Sequence, residues 1–310
     1  MFKRVDLKMA LTCAVTALCM VRPALALNNR SWVSQSGNDA NNCSIADPCK
    51  TFQHAHDETV TAGEVDVLNP GDYGALTITK SIVIDGGGMG YIGAGAITVN
   101  AAAGSTVVIR NLSMNSLGGT TANAISWVAG ELLYVEGVTI ENYVNGIAVG
   151  PFAASANGGR SLVIARLFVN DTTIRDCSDF GVNLQPFASF TASLNHVTIE
   201  NNTSSSALTG GMLVQGTTAS VKNSLISRVP NGVVVDVQGQ LELDNSTISY
   251  TTLGIEAEGA GALVRIGGDS IHLNSTGMSA TGGAQIVSYG NNQIAANGAG
   301  ETPTSTITLK

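Results

Sequence analysis

Three charged side chains fall at one position of a short repeated pattern. Glu141, Arg175 and Glu200 each follow the isoleucine that closes the pattern, and Asp176 and Asp179 lie next to the middle one in sequence. Two carboxyl groups flanking a glycosidic bond can hydrolyse it, about 5–5.5 Å apart for retention or about 6.5–9.5 Å for inversion, with one held protonated. If the three positions stack at the spacing of neighbouring strands, Glu141 and Glu200 stand about 10 Å apart with the arginine between them. That cation favours the ionised form of both carboxylates and so removes the acid. An outward salt-bridge ladder, about 0–1 kcal/mol per exposed pair, is therefore the plain reading. Catalysis by Glu141, Arg175, Glu200 and Asp176 is the alternative.

The elements that would position these residues are read from internal periodicity. Asn, Asp, Gly or His, then two residues, then Ile or Met recurs at 111–114, 137–140, 171–174, 196–199, 223–226, 245–248, 268–271 and 291–294, with an earlier copy at 81–84. Successive anchors lie 22 to 34 residues apart, about one turn of a β-solenoid. A glycine followed by an apolar residue comes six or seven residues after Ile140, Ile174, Ile226, Ile248 and Ile271, as in Gly146-Ile147 and Gly232-Val233. A third apolar segment precedes many anchors, for example Leu132 to Val135 and Leu241 to Leu243.

Three short strands per turn with Gly and Asn corners predict an all-β, right-handed parallel β-helix of about nine coils. Each coil stacks on the next because none can bury its inward side chains alone. Ile140, Ile174, Ile199, Ile226, Ile248 and Ile271 should form one interior row. Helical repeats would need longer 3.6-residue stripes and better helix formers than these Thr-, Val-, Ile-, Asn- and Gly-rich segments.

The N-terminus carries Lys3, Arg4 and Lys8, an uncharged apolar run over 9–21, then Ala24-Leu25-Ala26. Basic, apolar and cleavable in that order, residues 1–26 read as a secretory signal. The remaining chain divides into an N-terminal strand, disulfide loop and capping helix over 27–75 and the β-helix over 76–310. Without the signal, 11 basic residues face 22 acidic ones, a net charge of −11. Such a chain repels phosphate backbones and anionic lipid, which argues against nucleic-acid partners, and no later segment is long and apolar enough to insert in a membrane. No cofactor and no metal are expected; the partner is a polysaccharide or a surface protein. Of the cysteines beyond residue 26, Cys43 and Cys49 are spaced to close a disulfide in an oxidising compartment, ahead of metal ligation, which lacks further ligands. Cys177 should be a buried thiol.

At the start of the helix, Trp32-Val33-Ser34, Asp39-Ala40-Asn41-Asn42-Cys43, Asp47-Pro48-Cys49-Lys50-Thr51-Phe52 and Asn69-Pro70-Gly71-Asp72-Tyr73-Gly74 resemble the opening of secreted bacterial β-helix proteins of the pectin-lyase-like superfamily. The resemblance implies a short capping helix within 50–60, the solenoid beginning at 64–68, and a fold rather than an activity. Its lyase members imply Arg175 as a proton-abstracting base and carboxylates holding Ca2+. The sequence departs from that pattern: no compact acidic cluster is evident, and polygalacturonase-like Asn-Thr-Asp, Asp-Asp, Gly-His-Gly and Arg-Ile-Lys motifs are absent.

The favoured function is thus a secreted or cell-surface structural or binding protein contacting a glycan or protein. The alternative is a polysaccharide lyase or glycoside hydrolase. His54 and His56 lie two apart on the capping helix and face different ways, so they do not pair on a metal. His196 should hydrogen-bond at its corner, with Glu200 near in sequence, and His272 ends the ladder. Asp85-Gly86-Gly87-Gly88 is read as a coil corner and Trp127 as a turn or groove aromatic. Coils enlarged at 151–160 and 203–209 could wall a groove, while an aromatic content of 5% is sparse for sugar stacking.

Overall fold

The structure is a computed structural model and describes residues 27–118, 123–150, 164–186, 190–202 and 209–307. Residues 1–26, read from the sequence as a secretory signal, and the two enlarged segments, apart from Thr209, lie outside these residues. Parallel strands wind into a β-helix with three faces. In a representative coil the first face is Leu132–Glu136, the second Thr139–Glu141 and the third Asn145–Val149. Among the described residues, first- and second-face strands merge into one sheet and nine third-face strands form another, which gives about nine coils.

Alternation explains which side chains point inward. Leu133 and Val135, Leu167 and Val169, and Leu241 and Leu243 are buried, while the residues between them face out. The anchor row forms as its sequence spacing predicts. Ile140 pairs with Ile174, Ile174 with Ile199, and the register runs on through Ile226, Ile248 and Ile271, all buried.

Two left-handed corners shape each coil. The first uses Asn111, Gly137, Asp171, His196, Asn223, Asn245 and Gly268, with φ from 49° to 70°, the residue types that tolerate this backbone. The second uses Asn142, Asp176, Asn201, Arg228, Tyr250, Leu273 and Ala296, with φ from 56° to 63° apart from Arg228 at 53°. Asp176 is therefore a corner residue. Its backbone continues the stack, its N–H donating to the Glu200 carbonyl.

Inside the first corner a side-chain oxygen of one coil accepts the backbone N–H of the coil before it. Ser224 Oγ takes Val197 N at 3.1 Å, Ser246 Oγ takes Ser224 N at 3.1 Å, Asp269 takes Ser246 N at 2.8 Å and Asn292 takes Asp269 N at 2.8 Å. Val197, Ser224, Ser246 and Asp269, each one residue past the exposed corner residue, are buried, so an unpaired N–H there would cost about 1–3 kcal/mol.

The glycine at the second position of these third-face strands is dictated by space. A Cβ on Gly232 would lie 2.3 Å from the Gly254 carbonyl oxygen and 2.7 Å from Ile248 Cγ2. Gly146, Gly181, Gly211 and Gly254 are crowded by the next glycine of the column in the same way.

The N-terminal end is closed by helix α1, Phe52–Asp57, shorter than the 50–60 window, because Thr51 caps it by accepting from His54 N and the chain turns into a strand at Thr59. The solenoid thus starts at Thr59 rather than at 64–68. Strand Asn28–Val33 lies on this first coil, and the loop bearing the Cys43–Cys49 disulfide closes its outer edge through Trp32 N to Cys43 O, 2.8 Å, and Cys49 N to Trp32 O, 2.9 Å. At the other end a short strand at Ser305–Thr306 pairs with Val287 and Ser288. Among the described residues no helix is long and apolar enough to cross a membrane.

Cys177 is fully buried and its thiol is pushed up to about 12 by that burial. Alkylation of the native protein without reductant is therefore expected to leave Cys43, Cys49 and Cys177 all unmodified, read by peptide mass spectrometry. Labelling of Cys43 and Cys49 would show that the disulfide is not formed.

Candidate functional site

The column after the anchors runs Asn115, Glu141, Arg175, Glu200, Ser227, Ser249 and His272, in register from coil to coil, with Ser227 and Ser249 buried. The structure brings its three charged members together but pairs them unevenly. Arg175 hydrogen-bonds Glu141 Oε1 through Nε at 2.7 Å and through Nη2, and the other Glu141 oxygen accepts from Asn115 Nδ2 at 2.9 Å. Glu200 pairs instead with Arg228 Nη1 at 3.3 Å. The expected acid, base, acid stack is thus two separate ion pairs, because the second corner places a further guanidinium beside Glu200. Nothing in the sequence marks Arg228 as a partner, since its corner column has no shared residue type. The Glu141 hydrogen bond and charge raise the Arg175 pKa still further, the reverse of what a proton-abstracting base needs.

His196 makes the expected corner hydrogen bond, with Nδ1 3.0 Å from Asn195 Nδ2, and sits 3.7 Å from Asp171. His272 Nδ1 lies 3.0 Å from Ser270 Oγ. On α1, His56 is buried, bonded to Asp57 at 2.8 Å and accepting from Thr79 N at 3.3 Å; burial depresses its pKa. His54 lies close to Cys43 and Cys49, whose sulfurs are committed to each other. Trp127 corrects its expected place: it is 1% exposed, packs edge-on against Phe190 at 5.6 Å and donates to Ala129 O at 3.0 Å. Its ring belongs to the core because its strand position faces inward, in register with Val149.

A compact acidic cluster does exist, contrary to the sequence reading. Glu64, Asp66 and Asp85 bring carboxylate oxygens within 4.8 Å of one another on the first face, since Glu64 and Asp66 alternate outward and Asp85 stacks on Asp66. The cluster is already neutralised. Arg30 pairs with Asp66, and Arg110 holds Glu64 and Asp85, both at 2.8 Å. Burial pushes Asp85 up, but hydrogen bonds from Asn111, Gly87 and Arg110 outweigh it and hold the carboxyl below its usual range. Ca2+ could bind there only by displacing two guanidiniums, so these residues do not fit a calcium centre.

Two other surfaces remain. On the third face Asp236, Glu256 and Glu258 gather at one end of neighbouring strands, and no cation pairs with them among the described residues. Burial first, then Glu258 and Asp236, raise the Glu256 carboxyl. At the first corner a shallow groove of ≈ 480 Å³ runs beside the second face between Asn245 and His196.

Stacked parallel coils of three strands define the molecule as a β-helix with the pectin-lyase-like fold. The structure is similar to that of the pectate lyase Pel9A, with a TM-score of 0.58 and 14% identity over 92% of this chain and 80% of that one. It also aligns with the Escherichia coli protein YbhC at a TM-score of 0.41 and 13% identity, over 82% of this chain and 74% of that one. No protein-family model matches the chain, and no curated protein matches it. At such identities the likeness is one of fold.

Proposed function

We propose that the protein is exported and acts without catalysis, as a rigid β-helix that holds an extended polysaccharide along its outer surface. The observation that carries this reading is the pairing of the charged column. Both Glu141 oxygens are committed to Arg175 and Asn115, and Glu200 pairs with Arg228, so the charged column is built as ion pairs rather than as an acid and base set apart. The basic, apolar and cleavable N-terminus and the Cys43–Cys49 disulfide support export. A stack of equivalent coils supports a periodic polymer as ligand, as does the fold shared with a pectate lyase.

A second reading is favoured by the third face. Glu256 and Glu258 are two apart on one strand, about 6.6 Å along it, which approaches the carboxyl separation of an inverting glycosidase. Glu256, with its raised pKa, would be the acid, and Glu258 or Asp236 the base.

One assay separates the two. The protein is incubated with neutral and acidic polysaccharides, with and without calcium, and read for new reducing ends, for unsaturated uronate absorbance and for retention on the immobilised glycan. Retention without turnover is expected. Turnover lost in Arg175→Ala or Glu200→Ala would restore the charged column as the catalytic site, and turnover lost in Glu256→Gln would establish the third face.

A further inference from the structure

We propose that the first-corner groove is the glycan site and that it takes a neutral, β-linked chain lying parallel to the helix axis. This rests on the glycan-binding reading above. One wall of the groove is the corner column His196, Asn223 and Asn245; the other is the second-face column Thr198, Leu225 and Thr247. Both walls repeat once per coil, at about 4.8 Å, and an extended β-1,4-linked hexose chain repeats at nearly the same interval. Successive sugar residues would therefore meet a corner and a second-face side chain at the same interval on each coil, Asn223 and Asn245 on one wall and Thr198 and Thr247 on the other.

The chemistry of the walls selects the ligand. The amides form a directional ladder, Asn245 Nδ2 donating to Asn223 Oδ1 at 2.6 Å and Asn223 Nδ2 to Asn195 Oδ1 at 2.9 Å. Each of these amides has a second N–H that the ladder does not use. Among the described residues the hydroxyls of Thr198 and Thr247 bond to no other residue, although both side chains are half-buried on the wall. The floor is already satisfied: Ser224 Oγ donates to Lys222 O at 2.6 Å and accepts from Val197 N. The groove thus offers neutral donors and acceptors beside one apolar patch at Leu225, which suits hydroxyls and the C–H face of an uncharged sugar.

Charge excludes the acidic alternative. Lys222 beside the groove is paired with Asp244 at 3.5 Å, and the exported chain is strongly acidic, so a polyuronate meets no unpaired cation and a repulsive field.

Isothermal titration with cellohexaose, xylohexaose and hexagalacturonate tests this on the exported form of the protein. Binding of a neutral hexasaccharide is expected, weakened at least tenfold in the double variant Thr198→Val/Thr247→Val. That change keeps β-branching and breaks no internal hydrogen bond. Asn223→Gly, which preserves the left-handed corner, is expected to weaken it as well, with an unchanged thermal midpoint for the double variant showing that the fold is intact. Neutral-sugar binding that survives these substitutions would overturn the groove while leaving the glycan reading standing. Binding of hexagalacturonate alone would overturn the neutral ligand class. Binding of none of the three would overturn the glycan reading itself.

Discussion

Gly232→Ala is expected to destabilise the protein by about 3 kcal/mol, at the upper end of what an overpacked interior costs. The added methyl would stand 2.3 Å from the Gly254 carbonyl oxygen and 2.7 Å from Ile248 Cγ2, and neither can retreat: one is ladder backbone, the other the anchor of the interior row. Flexibility of a distant side chain gives no relief here. Gly150→Ala is the control, since a Cβ there meets nothing within 4 Å. Urea midpoints of the two variants should differ strongly, the control staying near the parent protein. Equal midpoints would mean that the glycine column reflects turn preference alone.

Asp269 should make stability depend on pH in an unusual direction. Its side chain is 1% exposed, and burial raises it from 3.8 to about 7, against the pull of hydrogen bonds from Ser246 N and Gly267 N; the nearby Asp244 charge adds to the rise. Between about pH 4 and pH 7 the folded protein keeps a proton that the unfolded chain has lost. Stability contributed at this site therefore falls as pH rises through that window, by up to about 4 kcal/mol, and is level above it. Asp269→Asn removes the titration. The stability of the parent protein minus that of Asp269→Asn, from urea melts at each pH, should decline from pH 4 to 7; parallel curves would show that Asp269 is ionised throughout.

Much of this architecture is legible from spacing, and the parts that are not share a cause. The anchor isoleucines, the crowded glycines and the Glu141, Arg175 and Glu200 column all sit at a fixed offset within the repeat, so their register can be counted. Arg228 cannot be placed that way, because the second corner holds Asn, Asp, Arg, Tyr, Leu and Ala at one backbone position and thus has no signature. Glu64, Asp66 and Asp85 meet across the first coils, before the clearest anchors begin, and Asp236, Glu256 and Glu258 lie at strand ends whose facing the anchor spacing does not set. Trp127 reads as a surface aromatic in the sequence, yet a large polar-tipped ring can satisfy its N–H from the backbone of its own turn and still be buried.

The two-residue first corner, kept from Gly137 to Gly268, has a consequence for any polymer that lies beside it. A bend that also caps the coil before it has no room to grow a projecting loop, so the groove there stays shallow and each coil offers only a few contacts. Strength must then come from valency: a longer strand engages more rungs at once, and shifting it by one rung costs little. Such a surface would grip by length and let its cargo slip along the axis without letting go.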